Sequence, residues 1–162
     1  MSVVADRIKQ TLDRHYVCYE TIPHVTDFTA LETSEHTHVP GHEFAKAVIA
    51  LVDHRDAVMA VIPAPEHVDL DVLRAYLGAS AIKLAKEWRI RHWFPDCDPG
   101  AIPPFGNLYG MPVFIAPSLC ENDRITFNAG SHEMVIQLST SDYEELVDPI
   151  VVRGLSTDRD RP

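Results

Sequence analysis

Lys46 and the segment Gly130-Ser131-His132 contain the side chains best suited to chemistry in this sequence. Lys46 is the one charged residue of the apolar run 44–52. A lysine of ordinary pKa is protonated at neutral pH, so it could bind a phosphate or a ribose but would not act as a base. Backbone N–H groups near Lys46 or Gly130 could hold an oxyanion. Adjacent strand residues point to opposite faces, so Ser131 and His132 do not indicate a nucleophile and its base.

The same residues also have structural interpretations. Lys46 could extend its ammonium group to the surface at a strand end. Gly130 could serve a tight turn, and His132 could be a hydrogen-bonded turn histidine. The residue types alone leave both interpretations open.

The segment Gly100-Ala101-Ile102-Pro103-Pro104-Phe105-Gly106, here called the glycine–proline loop, contains no reactive side chain. Its glycines permit backbone angles that are closed to other residues, and its prolines fix φ and remove two N–H donors. The loop therefore predicts a wall against which a ligand is placed, with the reacting groups supplied from elsewhere.

Cys97 lies near His92 and could be imagined as a nucleophile. Its neighbours Asp96 and Asp98 disfavour the thiolate, so a structural or pocket-lining thiol is expected instead. With Cys18 and Cys120 the chain has three cysteines at unrelated spacings. This pattern predicts reduced thiols in a cytoplasmic protein.

A metal site is the minor alternative that the histidines suggest. His36, His38, His42 and Glu43 place an H-x-H motif five residues before a glutamate, a spacing that resembles the first metal motif of cupins. The segment precedes Pro40-Gly41 in a predicted loop, and no convincing second histidine follows. We therefore expect neither a metal nor another cofactor.

Composition predicts one globular domain, residues 1–154, followed by a charged tail at 155–162. Hydrophobic residues make up 46% and charged residues 23% of 162 residues, and no apolar run reaches the length of a membrane span. The start lacks the pattern of a secretory signal. A net charge of −10 argues against a broad nucleic-acid surface. Lys83, Lys86, Arg89 and Arg91 could still form a local basic face, although a solvated helix face is the simpler interpretation.

Hydrophobic spacing then predicts the elements that position these residues. Helices are expected at 3–16, 29–36, 68–77, 140–147 and in part of 79–93; strands are expected at 17–22, 44–52, 57–62, 112–116, 124–128, 134–138 and 150–152. Asp69 or Asp71 would begin the helix at 68–77, and Thr140 or Ser141 would cap the helix at 140–147. Strand groups with helices between them indicate a mixed α/β (α+β) domain.

Four segments together carry a resemblance to a known family. They are residues 41–51 around Lys46, Val61-Ile62-Pro63-Ala64 with Val68-Asp69-Leu70, the glycine–proline loop, and Phe127-Asn128-Ala129-Gly130-Ser131-His132. In this order and spacing the chain resembles the YbaK/ProX family, the free-standing relatives of the editing domain inserted in bacterial prolyl-tRNA synthetases. The resemblance extends over residues 17–147.

The resemblance implies a single domain with a curved mixed central sheet flanked by helices. It also implies a hydrolase that acts in trans on the ester of a mischarged tRNA. Lys46, Gly130 and His132 would be catalytic; the substrate-binding residues would be Gly100, Ile102, Pro103, Pro104, Phe105, Gly106, Asn128 and Ser131.

The implied partner is the 3′ aminoacyl end of tRNA, with a synthetase or an elongation factor as a further one. No membrane partner is expected, and the chain would be a monomer or a small homo-oligomer. A module of the same fold that binds an aminoacyl end or a synthetase without hydrolysis is the second interpretation. Alanine, cysteine, serine and threonine all remain open as the amino acid removed.

Overall fold

The computed structural model describes residues 3–23 and 39–158. Within them the α-helices are α1 (Val3–Arg14), α2 (Leu70–Leu77), α3 (Glu87–Trp93), α4 (Pro117–Cys120) and α5 (Thr140–Val147), with a 3₁₀ turn at Gly106–Tyr109. The strands are β1 (Tyr19–Pro23), β2 (Ala45–Val52), β3 (Asp56–Pro63), β4 (His67–Val68), β5 (Ile82–Leu84), β6 (Val113–Ile115), β7 (Arg124–Asn128), β8 (Met134–Ser139), β9 (Ile150–Val151) and β10 (Ser156–Thr157). The predicted mixed α/β class is confirmed.

The strands that were expected to form one central sheet are divided between two main sheets and a short ribbon. A five-stranded mixed sheet has the order β5-β2-β3-β6-β9, and β1-β8-β7 form an antiparallel sheet beside it. A parallel bridge between Phe44 and Thr126 joins the two sheets. β10 and β4 pair as a two-stranded ribbon. The hairpin predicted from residues 44–62 is confirmed, since β2 pairs with β3 from Ala45–Pro63 to Val52–Asp56.

Each face of the five-stranded sheet covers its own apolar core. On one face, Ile49 and Met59 join Phe127 and Ile136 of the three-stranded sheet and Ile8 of α1. The other face packs Ala60 and Phe114 against Leu73 of α2 and against Leu155. Because strand side chains alternate between faces, neighbouring residues of β2 serve different cores.

Several local predictions are confirmed at the level of single residues. α2 begins at Asp69, whose carboxylate accepts the Val72 N–H at 3.1 Å, and it ends at Gly78 with φ +64°. Helix α1 ends at Arg14 because Tyr16 turns to φ +56°.

Other local predictions differ from the structure. The cap of α5 is Ser139, whose Oγ accepts the Asp142 N–H at 3.1 Å, and not Thr140 or Ser141. The partial helix predicted in the stretch 79–93 is confirmed as α3, at its C-terminal end. The preceding β5 was not predicted, because its three residues are too short for a periodic signal. The helix predicted at 29–36 lies outside the described residues.

The chain packs beyond the predicted domain boundary at 154. Leu155 is fully buried, and Ser156 and Thr157 pair with β4. The segment 155–157 is therefore part of the domain, and a charged tail could begin only after it. No helix within residues 3–23 and 39–158 is long and apolar enough to cross a membrane.

The cap of α2 provides a test of the local structure. Replacing Asp69 with Ala removes the acceptor for the Val72 N–H and should lower the free energy of unfolding by about 1 kcal/mol. Asp71→Ala, in the exposed first turn of the same helix, removes a charge without removing this bond and should cost less. Urea unfolding followed by circular dichroism measures both, and equal losses would contradict the assigned cap.

Candidate functional site

An apolar cavity of about 220 Å³ lies between β2, α3 and the glycine–proline loop. From the sheet and the helix side its lining includes Ala47, Val48, Ile49, Leu84, Ala85, Glu87, Ile90, Arg91 and Phe94. From the loop side it includes Cys97, Pro99, Gly100 and Ile102. Two of the predicted binding residues, Gly100 and Ile102, therefore contact the same cavity.

Three hydrogen bonds join the glycine–proline loop and the two residues before it, Asp98 and Pro99, to the turn between β7 and β8. The Gly130 N–H donates to the Ala101 carbonyl at 2.8 Å, and the Asp98 N–H donates to the Gly130 carbonyl at 2.8 Å. The His132 Nε2–H donates to the Pro99 carbonyl at 2.7 Å. The structure thus brings the loop and the predicted Gly130–His132 turn into direct contact. We call this hydrogen-bonded contact the joint.

The remaining predicted residues of the loop lie in the protein interior. Pro103, Pro104, Phe105 and Gly106 are buried and line none of the described cavities. The Phe105 ring packs against Phe127 and Tyr143, with ring centroids 5.3 and 5.5 Å away. The Tyr143 hydroxyl donates to the Pro104 carbonyl at 2.6 Å. This part of the loop anchors the wall rather than forming its surface.

Gly106 has a packing reason for being glycine. A Cβ atom there would approach Cγ2 of Val113 to 2.8 Å and the Met111 carbonyl oxygen to 3.1 Å. The loop can therefore return to the sheet closely at this point. Its second glycine serves this close approach and not a ligand contact.

Lys46 lies beside the apolar cavity but on the other face of β2. It lines a second cavity of about 160 Å³, here called the lysine cavity, together with Val48, Ile62, His67, Val68, Leu70 and Leu84. Val48 and Leu84 line both cavities, so the two adjoin. The Lys46 side chain is half-buried, and its burial lowers its pKa, while the Glu66 carboxylate acts in the opposite direction.

Two predicted residues hold buried acceptor atoms without a partner. Asn128 Oδ1 and His132 Nδ1 are buried and form no hydrogen bond. Because His132 Nε2 carries the proton donated to Pro99, Nδ1 of the neutral ring is an acceptor. Ser131 differs, since its Oγ accepts the Glu133 N–H at 3.0 Å and closes the turn. A buried acceptor that lacks a donor is costly, but neither Asn128 nor His132 lines the apolar cavity or the lysine cavity.

The available backbone donors are not at Gly130, because its N–H is engaged by Ala101. The Gly130 N–H itself is therefore not free to hold an oxyanion, and the expectation that donors near Lys46 or Gly130 do so stays a prediction. Among the described residues, the N–H groups of Gly100 and Ile102 find no hydrogen-bond acceptor. Ala47 lies on the edge of β2 beyond the end of β5, whose ladder covers Ala50–Val52. Gly100 and Ala47 therefore each bring a backbone donor to the lining of the apolar cavity.

The three cysteines are free thiols. Burial raises the pKa of Cys97 to about 11, and the nearby carboxylates of Asp96 and Asp98 add to this rise. The Tyr109 hydroxyl, 3.8 Å from Cys97 Sγ, acts in the opposite direction. Cys97 therefore contributes an un-ionised thiol to the cavity lining. It agrees in this with the pocket-lining role expected from the sequence.

The residues of the suggested metal site are divided between described and undescribed parts of the chain. His36 and His38 lie outside the described residues, while His42 is exposed and Glu43 partly buried. Among residues 3–23 and 39–158, no three His, Cys, Asp or Glu side chains are arranged to hold a metal ion.

Several residues of the cavity were not identified from the sequence, among them Ala47, Ile49, Ile90 and Phe94. The alternation of side chains along β2 indicated part of this lining, since it places Ala47 and Ile49 on the face opposite to Lys46. Ile90 and Phe94 are four residues apart, which is helical spacing, but no pattern indicated what that face would meet. A larger polar groove of about 440 Å³ beside β1 and β8 contains none of the predicted site residues.

Comparison with known proteins gives one consistent result. The chain matches the family model described as "Aminoacyl-tRNA editing domain" over residues 24–146. It is 31% identical over 112 residues to the multifunctional Ser/Thr-tRNA deacylase ProXp-y of Escherichia coli K12. This match covers 67% of the chain and 66% of that relative, so the chain spans just under two thirds of the relative's length.

Solved structures share the fold at low sequence identity. Hypothetical protein APE2540 is 14% identical with a TM-score of 0.83, covering 93% of this chain and 99% of that one. A candidate trans-editing enzyme for prolyl tRNA synthetase is 16% identical with a TM-score of 0.79, covering 94% of this chain and 97% of that one. At these identities the likeness shows the fold alone.

The different burial of the cysteines predicts selective alkylation. With a pKa of about 11, about one Cys97 thiol in a thousand is ionised at pH 8, and Cys120, with its pKa raised mainly by burial to about 12, is ionised even less. Iodoacetamide should therefore add rapidly at the exposed Cys18 and slowly at the other two. Intact mass spectrometry should show one fast adduct that is absent from Cys18→Ser. The slow reactions should accelerate as pH approaches 11, and fast labelling of Cys97 at pH 7 would refute this picture.

Proposed function

This chain belongs to the aminoacyl-tRNA editing domain family, and from that premise we propose that it is a deacylase acting in trans on mischarged tRNA. It hydrolyses the ester between an amino acid and the 3′-terminal ribose. The observation that carries the proposal is the apolar cavity, whose wall is built by the glycine–proline loop and which includes unpaired backbone donors at its lining.

The cavity lining suits an apolar aminoacyl side chain. Its described charged residues are Glu87 and Arg91, which pair with each other at 2.7 Å. A substrate hydroxyl buried against the remaining lining would find few partners and lose the hydrogen bonds it makes to water. Of the four amino acids left open by the sequence, alanine and cysteine therefore fit better than serine and threonine. The Escherichia coli relative is named for the latter two.

Hydrolysis needs little from side chains because an ester is already activated. The N–H groups of Gly100 and Ala47 are the proposed donors to the carbonyl oxygen as it gains negative charge. A water molecule attacks the carbonyl carbon, and the bond from that carbon to the ribose oxygen breaks. The ribose oxygen takes up a proton, which leaves a free amino acid and a tRNA with an intact 3′ end. Holding the water and the ester close together in one cavity contributes part of the rate enhancement.

The polar groups around the cavity have separate tasks in this proposal. Lys46 lies next to the cavity and contributes a positive charge for the terminal phosphate or ribose. His132 positions the wall through its hydrogen bond to the Pro99 carbonyl.

A second function is favoured by the net charge of −10. An acidic protein holds tRNA poorly through a broad electrostatic surface, which would suit a module that binds an aminoacyl end or a synthetase without hydrolysis. A turnover assay distinguishes the two functions, because only the deacylase releases the amino acid.

Deacylation of a panel of mischarged tRNAs tests the proposal. We expect turnover of alanyl- and cysteinyl-tRNA to exceed that of seryl- and threonyl-tRNA, and Lys46→Ala to reduce every rate at least 100-fold with an unchanged thermal midpoint. Removing a half-buried cation should not unfold the chain. No turnover of any substrate at high enzyme concentration would favour the binding module. A folded, fully active Lys46→Ala protein would contradict the role of Lys46.

Ile102 tests the role of the cavity in selection. Its truncation to Ala removes three carbon atoms from the wall and should raise kcat/KM for larger aliphatic substrates, such as valyl-tRNA, relative to alanyl-tRNA. Discrimination of about 10- to 200-fold per methylene is the usual range for an apolar pocket. Val151→Ala changes an exposed aliphatic residue of β9 and is the control. An unchanged ratio in Ile102→Ala would show that the cavity does not hold the side chain.

A further inference from the structure

The segment containing β5 and α3 has a charge opposite to that of the protein as a whole. Residues 79–94 contain four cations and one anion, whereas the chain carries a net charge of −10. Arg91 is engaged by Glu87. Lys83 and Lys86 are exposed and form no ion pair with any described residue. We call Lys83, Lys86, Trp88 and Arg89 the α3 patch.

Trp88 is the aromatic centre of this patch. Its side chain remains 61% exposed, which is unusual for the largest apolar residue in a chain with ample core positions. The Arg89 guanidinium lies 4.7 Å from the Trp88 ring centroid and covers one side of the ring. Most of the ring surface stays exposed, which leaves room for a flat partner. An aromatic ring with flanking cations is the combination that binds single-stranded nucleic acid, because bases stack and phosphates pair.

The α3 patch is continuous with the apolar cavity. Leu84, Glu87 and Ile90 line the cavity and alternate in sequence with the residues of the patch. The last nucleotides of a tRNA whose aminoacyl group occupies the cavity are therefore within reach of α3. An extended phosphate chain at this position meets Lys83, Lys86 and Arg89.

We propose that the α3 patch binds the single-stranded 3′ end of tRNA, with one base stacked on Trp88 and the three cations contacting phosphates. The proposal rests on the proposed function, because that function places the aminoacyl group in the adjoining cavity. It accounts for how a protein with a net charge of −10 holds tRNA, because a small basic surface lies next to the cavity and adds to the charge of Lys46.

Binding of uncharged tRNA, measured by fluorescence anisotropy over a salt series, tests the patch without requiring hydrolysis. Trp88→Ala should weaken binding about 5- to 100-fold, the effect of losing one base–aromatic stack, and Trp88→Phe should retain most of the affinity. The double variant Lys86→Glu, Arg89→Glu should weaken binding and reduce the slope of log K against log salt by about 0.7 per lost contact. The double variant Arg14→Glu, Arg153→Glu changes two exposed cations outside the patch, one at the end of α1 and one after β9, and is the charge-matched control; it should bind like the unaltered protein.

A kinetic comparison shows whether Trp88 acts on the nucleotides of the tRNA or on the apolar cavity. For Trp88→Ala, kcat/KM should fall on alanyl-tRNA but not on the alanyl ester of adenosine, which lacks the nucleotides that the patch contacts. Thermal midpoints within 2 °C of the unaltered protein should exclude misfolding.

Unchanged tRNA affinity and salt slope in both patch variants would overturn the inference and leave the patch to a protein partner. Equal loss on both esters would also overturn it, because the patch would then act on the cavity itself. If the unaltered protein binds tRNA through Trp88 but hydrolyses neither ester, the proposed function fails and the inference stands.

Discussion

The site depends on the joint between the glycine–proline loop and the turn that connects β7 and β8. Its two backbone hydrogen bonds link Asp98 and Ala101 to Gly130, and the His132 ring holds the Pro99 carbonyl. Residues about thirty positions apart are thereby fixed within hydrogen-bond distance. These bonds also fix the position of the wall of the apolar cavity, because Pro99, Gly100 and Ile102 all lie within the hydrogen-bonded segment.

The prolines explain why the joint has this chemical form. A segment rich in proline has few N–H groups to offer, so it is held through its carbonyls, which other parts of the chain must satisfy. Pro99 receives the His132 ring, Ala101 receives the Gly130 amide and Pro104 receives the Tyr143 hydroxyl. This arrangement uses donors from outside the loop and leaves the Gly100 amide unpaired at the cavity. A loop without reactive side chains can thus still present a polar group to a ligand.

Sequence patterns were sufficient where structure is local and failed where it depends on packing between distant segments. The hairpin at 44–62, the Asp69 cap and the Gly78 terminus follow from periodicity and from short-range hydrogen bonding. The family resemblance correctly associated the glycine–proline loop with the Gly130–His132 turn. Nothing in the pattern distinguished Gly100 and Ile102, which line the cavity, from Pro104 and Phe105, which lie beneath it. That distinction is made by Phe127 and Tyr143, which come from other elements.

The alternation of side chains along β2 separates the two surfaces that the proposed function assigns to the amino acid and to the end of the tRNA. Ala47 and Ile49 face the apolar cavity, whereas Lys46 faces the adjoining lysine cavity. Neighbouring residues of one strand therefore present an uncharged surface on one face and a cation on the other. If the ammonium group shared the apolar cavity, it would have to be desolvated whenever an aliphatic side chain entered. On the opposite face it is only half-buried, and the Glu66 carboxylate favours its charged form. The residues that line the apolar cavity and the cation beside it can therefore change independently of each other.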